Sequence, residues 1–241
     1  LLDSSRTFVK EKLFLQSQLN RLAPFGIPVI VALGNHDAGS AYVSGEHIYT
    51  LGSAVETIEV ETRNGERVAF SGFSYEVPVV ATRKVQEYPA KSANCDIHIG
   101  VLHGELTTAQ GRYAPFSIPE LREKGYDYWA LGHIHTCQEV SSQPCAWYSG
   151  TTQGADRKES GPKGALLVEI LPGKAPEVRF IETSTMDWTE VELAISETDR
   201  LETLPYLIVE ALPNPSKRSL VTLHLRTEES IYSREDLKQL T

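Results

Sequence analysis

Tyr128-Trp129-Ala130-Leu131-Gly132-His133-Ile134-His135 is the stretch on which the fold turns. A short apolar run suited to a buried strand meets a glycine and then two histidines one residue apart. Similar arrangements occur twice upstream. Val29-Ile30-Val31-Ala32-Leu33 leads into Gly34-Asn35-His36-Asp37, and Ile97-His98-Ile99-Gly100-Val101-Leu102 leads into His103-Gly104-Glu105. Ile27 to Leu33 is apolar at nearly every position, as strands covered on both faces of a parallel sheet are. In open α/β sheets, ligand sites assemble at the carboxyl ends of strands, where all three polar clusters fall.

Each cluster supplies imidazole or amide groups, which suit borderline divalent metals such as manganese, iron or zinc. Glycine ahead of the two outer clusters is expected to let the backbone turn sharply so that side chains converge. The His133-x-His135 spacing, read as extended, puts both imidazoles on one side about 7 Å apart along the strand, one for each of two neighbouring metals. Taken singly, each piece has a plainer reading. A lone histidine is ordinarily a surface or satisfied core residue, and Asn-His-Asp after a strand is a common turn composition. His98 lies inside a strand and reads as structural, and His47 and His224 have no cluster around them. Three clusters at three strand ends are what set His103, His133 and their neighbours apart.

Around these strands the pattern is mixed α/β. Phe8, Leu15, Leu19 and Leu22 fall at helical spacing, with Ser4 or Ser5 as cap. Thr57 to Thr62 alternates, and Asn64-Gly65 turns the chain back through Arg67 to Phe73 as a hairpin. A helix is expected after Pro78, and a short one over Pro119 to Lys124 with Gly125 as its stop. Gln138 to Ile181 is strand-rich. Beyond Thr183 the composition shifts to β-α-β: Thr189 to Ala194, a helix over Asp199 to Leu212, then Leu220 to Leu225, with another helix start at Ser233. A domain boundary is therefore expected near residue 184, dividing residues 1–183 from 184–241.

The 241 residues suffice for one large domain and part of another. Apolar residues at 41% and charged residues at 23% describe an ordinary globular chain. No run approaches the ~20 apolar residues of a membrane span, so no membrane partner is expected. Cys95, Cys137 and Cys145 fit neither a disulfide framework nor a zinc site, and point to a cytoplasmic location. The net charge of -9 opposes binding nucleic acid through its phosphates alone. Any such substrate needs positive charge supplied locally, by metals or by a partner. The start, Leu1-Leu2-Asp3-Ser4-Ser5, does not resemble a secretory signal, and the only Met is Met186. From these features the chain is expected to begin inside a domain.

Gly34-Asn35-His36-Asp37, the strand-end His103 and Gly132-His133-Ile134-His135 resemble, in order, the third, fourth and fifth motifs of the calcineurin-like metallophosphoesterases. Within that superfamily the run Lys124 to His135, with Tyr148-Ser149-Gly150 and Gln153-Gly154, is most similar to the SbcD-type DNA repair exonucleases. Ser149 stands where that branch usually has a proline. The resemblance covers residues 1 to 183, and the β-α-β segment after Trp188 looks like the start of the family's small capping domain. It implies a four-layer sandwich of two mixed β-sheets flanked by helices, followed by part of an α+β cap.

The resemblance also implies roles. Asn35, His103 and His133 hold one of two divalent metal ions, with Mn2+ expected and Fe2+ or Zn2+ as alternatives; His135 helps hold the other. His36 is the implied general acid, with Asp37 orienting its imidazole. Apart from the resemblance, Arg112, Arg157 and Lys158 are basic residues in loops near the motifs and candidate substrate-phosphate contacts, though solvated loop charge is the plainer reading of all three. Tyr113 and Phe116 offer faces for a base, with core packing as the plainer reading. The implied substrate is DNA, and the implied partner an SMC-like ATPase. A metallophosphatase or cyclic-nucleotide phosphodiesterase on the same core is an alternative, and a non-catalytic scaffold another. The family's opening Asp-x-His and Gly-Asp motifs are missing, and Asp3 looks like the last Asp of the second. The polypeptide alone is therefore expected to bind metal poorly and to be inactive, with about forty upstream residues, one strand-helix-strand unit, restoring both.

Overall fold

The computed structural model describes residues 9–39, 43–195, 201–212 and 218–227. The expected cap at Ser4 or Ser5, Asp3, and the helix start at Ser233 lie outside these. Ile97–His103 (β5) and Tyr128–Gly132 (β6) are the paired centre of a six-stranded sheet. On one side lie Glu56–Glu61 (β3) and Arg67–Gly72 (β4); on the other, Gln138–Ser142 (β7) and Cys145–Tyr148 (β8). The order is β3-β4-β5-β6-β8-β7. The inner pairings are parallel, and the outermost, β3–β4 and β7–β8, are antiparallel. The result is the mixed α/β class that the sequence motifs imply, with the Asn64-Gly65 hairpin where expected.

Parallel pairing buries both faces of the inner strands, and the sequence supplies side chains to fill them. Trp129, with no exposed surface, stacks on Tyr126 at 4.9 Å and meets Tyr88 at 5.4 Å. Leu102, Leu131, Phe116, Leu121 and Tyr148 continue this core. Truncating Trp129 to alanine would cost about 3–5 kcal/mol. Ile118–Lys124 (α2) packs Leu121 into it and opens with a reciprocal cap: Glu120 accepts from the Ser117 amide at 2.9 Å. Gly125 closes the helix in the left-handed region, as expected.

Val9–Asn20 (α1) has no fully buried residue, although Leu15 and Leu19 line a cleft of about 170 Å³ with Val29 to Leu33. The expected strand over Ile27 to Leu33 is shorter, Val29–Val31 (β1), and half-buried; it pairs in parallel with Ile48–Thr50 (β2) in a separate two-stranded sheet. No helix follows Pro78. Val77, Val79, Val80 and Thr82 form a β-branched run poorly suited to helix, and Val80 is drawn into a bridge with Tyr113. Only a short 3-10 turn over Lys84–Glu87 remains.

Contacts divide the chain into two compact units: Leu1–Gly150 with Ala165–Ile181, and Thr151–Gly164 with Glu182–Thr241. Gly164–Glu169 (β9) pairs with Glu177–Glu182 (β10). In the second unit Met186–Ile195 (β11) and Arg218–Thr227 (β12) pair in parallel, joined across Leu204–Ala211 (α3), a β-α-β crossover. Leu204 and Val191 are its buried residues. No helix among the described residues is long and apolar enough to cross a membrane.

Candidate metal centre

The segment after β1 is tied to the end of β4. The Tyr75 amide donates to Leu33 O at 2.9 Å, and Leu33 donates its own amide to Ser74 Oγ at 3.0 Å. The Asp37 amide closes the Gly34–Asp37 turn onto Gly34 O at 3.1 Å. This turn brings Asn35 Oδ1 to 2.8 Å from His103 Nε2. His103 itself is placed by sheet register, since it lies directly opposite Gly132 across β5 and β6. The next residue along, His133, therefore arrives with its ring 5.3 Å from that of His103, edge on at 71°. Tyr75 backs the pair: its hydroxyl donates to His103 O at 3.0 Å and its ring stands edge on at 5.4 Å.

Gly34 and Gly132 have a different role from the turning one expected of them. Neither has a positive φ. A methyl group on Gly34 would lie within 2.6 Å of His103 Nδ1, and one on Gly132 at 3.1 Å from the same atom. The glycines make room for the imidazole. Sharp turning falls instead to His133, whose φ of 108° is a conformation that side chains other than glycine rarely adopt. The extended geometry expected for His133-x-His135 is thus replaced by a bend.

Burial and neighbouring histidines hold His103 in its neutral form, with its pKa lowered to about 3; burial is the larger cause. His133 is likewise lowered, first by burial, with Glu105 opposing. Both therefore keep a lone pair at neutral pH, which ligation requires. His36 and His135 act electrostatically on both rings, so all four histidines share one neighbourhood. His36 and His135 are exposed, whereas Asn35 and Asp37 are half-buried. Arg112 is exposed beside this group, its guanidinium 5.9 Å from the Tyr113 ring, and Tyr113 packs at 4.8 Å on His133. Arg157 sits on an exposed loop of the second unit.

A protein of Bacillus subtilis (strain 168), described as an uncharacterized metallophosphoesterase YhaO, is 32% identical over 226 residues, 90% of this chain and 55% of its own length. The DNA double-strand break repair protein Mre11 of Haloferax volcanii is 27% identical over 191 residues, 74% of this chain and 41% of its own. The chain belongs to the calcineurin-like metallophosphoesterases. No family model matches the sequence. This metallophosphoesterase chain spans about half the length of the curated relatives it matches.

Membership implies divalent metal ions, and the residues present can be held against that requirement. Two neutral imidazoles and an amide oxygen, from His103, His133 and Asn35, suit one borderline ion. His103 Nε2 and Asn35 Oδ1, 2.8 Å apart in a hydrogen bond that the oxygen accepts, are the atoms that would donate to it. For a second ion the set offers His135 alone. Among the described residues no three His, Cys, Asp or Glu side chains gather as a metal ion needs. Sequence reasoning assigned no role to Tyr75 or Glu105 and read Tyr113 as core packing. Tyr75 reaches His103 across 28 positions and carries no local signal, while Glu105 stands only two residues beyond that histidine.

Proposed function

We propose that this chain is the catalytic part of a metal-dependent phosphodiesterase, an SbcD-type exonuclease or endonuclease acting on DNA in repair. The observation carrying the reading is the meeting of Asn35, His103 and His133 at adjoining strand ends. The name of the Mre11 relative supports the substrate class. On this reading residues 1–183 form the catalytic domain and 184–241 begin a capping domain. An SMC-like ATPase is the proposed partner.

Asn35, His103 and His133 would hold one divalent ion and His135 would contribute to a second, with Mn2+ the proposed metal. When bound, such ions neutralise phosphate charge and acidify water, the two obstacles to attacking a phosphodiester. The protein's own groups do the rest. His36, exposed at the mouth, gives a proton to the departing oxygen, and Asp37 beside it orients the ring. Arg112 offers positive charge next to the site, which a chain of net charge -9 needs for a polyanion.

The test is digestion of linear duplex and single-stranded DNA by the full-length polypeptide with Mn2+, beside small phosphomonoesters and cyclic nucleotides. Faster cleavage of DNA supports the reading; faster cleavage of small substrates replaces it with a phosphatase or cyclic-nucleotide phosphodiesterase. His36→Gln should slow turnover by about 10²–10⁴-fold with metal content unchanged. Loss of metal in that variant would make His36 a ligand instead.

A further inference from the structure

The loop between β5 and α2 contains a carboxylate with no place in the chemistry above. Glu105 turns its side chain back along its own loop, where Oε1 accepts the amide hydrogens of Arg112 and, at 2.9 Å, Tyr113. The approach is so close that a methyl group on Gly111 would collide with that carboxylate; Cδ would lie 2.9 Å away. Backbone bonds complete the clamp: the Glu105 amide to Tyr113 O at 2.8 Å, and Phe116 to Glu105 O at 3.0 Å. From outside, Val80 bridges the same segment, accepting from the Ala114 amide at 2.6 Å and donating to Arg112 O at 3.0 Å. Ala114 is held at φ 40°, a conformation that stands only where its surroundings enforce it.

What this clamp presents is the Tyr113 ring, set 4.8 Å from the ring of His133. His133 needs such a wall. Its backbone is in a rarely adopted region, and among the described residues the only other ring on it is that of His103. We propose that Glu105 is a positioning residue: by fastening the Gly111–Tyr113 turn it sets the Tyr113 ring against His133 and keeps that imidazole beside His103. The metal consequence rests on the reading of these three residues as ligands; the geometric one does not.

Two measurements separate these. In the full-length polypeptide, Mn2+ is titrated by calorimetry and Co2+ by visible absorption. Glu105→Ala and Tyr113→Leu should each weaken binding about ten-fold or more and shift the cobalt bands, with Glu105→Gln and Tyr113→Phe close to the parent. Gln retains an oxygen for the two amides, and Phe retains the ring. In the metal-free protein, the His133 ring protons should lose the ring-current shift of Tyr113 in both disruptive variants. Tyr113→Leu leaves the Glu105 bonds in place and carries the test if Glu105→Ala does not fold. Parent-like affinity and bands in folded Glu105→Ala, or unmoved His133 protons, overturn the proposal. A parent protein that binds neither metal overturns the metal-centre reading, and the proton shifts then decide the positioning role by themselves.

Discussion

His98 and His103 stand on the same strand, five residues apart, and burial keeps both neutral, at pKa values of about 4 and about 3. They differ in what their nitrogens meet. His98 Nδ1 accepts from the Ser92 amide at 3.3 Å, so Nε2 carries the proton and donates to Ser71 Oγ at 2.8 Å. Ser71 shares a 2.6 Å bond with Thr57, and Tyr126 stacks on the His98 ring at 3.8 Å. Every polar position of His98 is used internally. His103 Nε2 instead meets Asn35 at the open end of the strand. A depressed histidine pKa thus marks burial alone; the kind of partner separates a structural imidazole from a candidate ligand.

The largest effect that could break this contrast is in activity. His103→Ala should cut DNA hydrolysis by the full-length polypeptide more than about a hundred-fold and reduce bound metal, with little change in melting temperature. An active variant with full metal content would return His103 to the structural class. His98→Ala should do the opposite. Loss of its bonds and stacking should cost about 2–3 kcal/mol in thermal unfolding, with activity per folded molecule retained.

Acid sharpens the same pair. A neutral His98 with a folded pKa near 4 and an ordinary value of 6.5 binds fewer protons folded than unfolded between those limits. Its contribution is present above pH 6.5 and is lost as pH falls toward 4. Unfolding titrations of His98→Ala should show a flatter slope in that window; an unchanged slope would assign the acid sensitivity elsewhere. The smallest expected effect is at the rim. Arg112→Ala should weaken DNA binding about five-fold at low salt and less at high salt, read by competition titration.

The sequence revealed what short-range pattern can carry. Apolar runs ending in polar clusters marked β5 and β6, Asn64-Gly65 marked the hairpin, and the alternation after residue 184 marked the crossover of the second unit. The errors have equally physical causes. The helix expected after Pro78 ignored how strongly valine and threonine prefer extended backbone, and how a distant segment, Tyr113, would pair with Val80. The role of Gly34 could not be read from its neighbours, since the ring it accommodates belongs to a residue 69 positions away. Tyr75 and the Glu105 clamp likewise act through contacts that leave no periodic trace. The candidate residues were legible in the sequence; the contacts that hold them were not.

The pairing of His103 with Gly132 has one more consequence. Because one imidazole ends β5 and the other belongs to the residue that follows β6, the ladder sets in whole steps how far apart their backbones lie. Slipping one strand by a single residue would shift its end by about 3.3 Å and turn each side chain to the opposite face. Intermediate adjustments are not available to the backbone. An insertion or deletion anywhere within β5 or β6 would therefore be felt at the mouth as all or nothing, however far along the strand it was made.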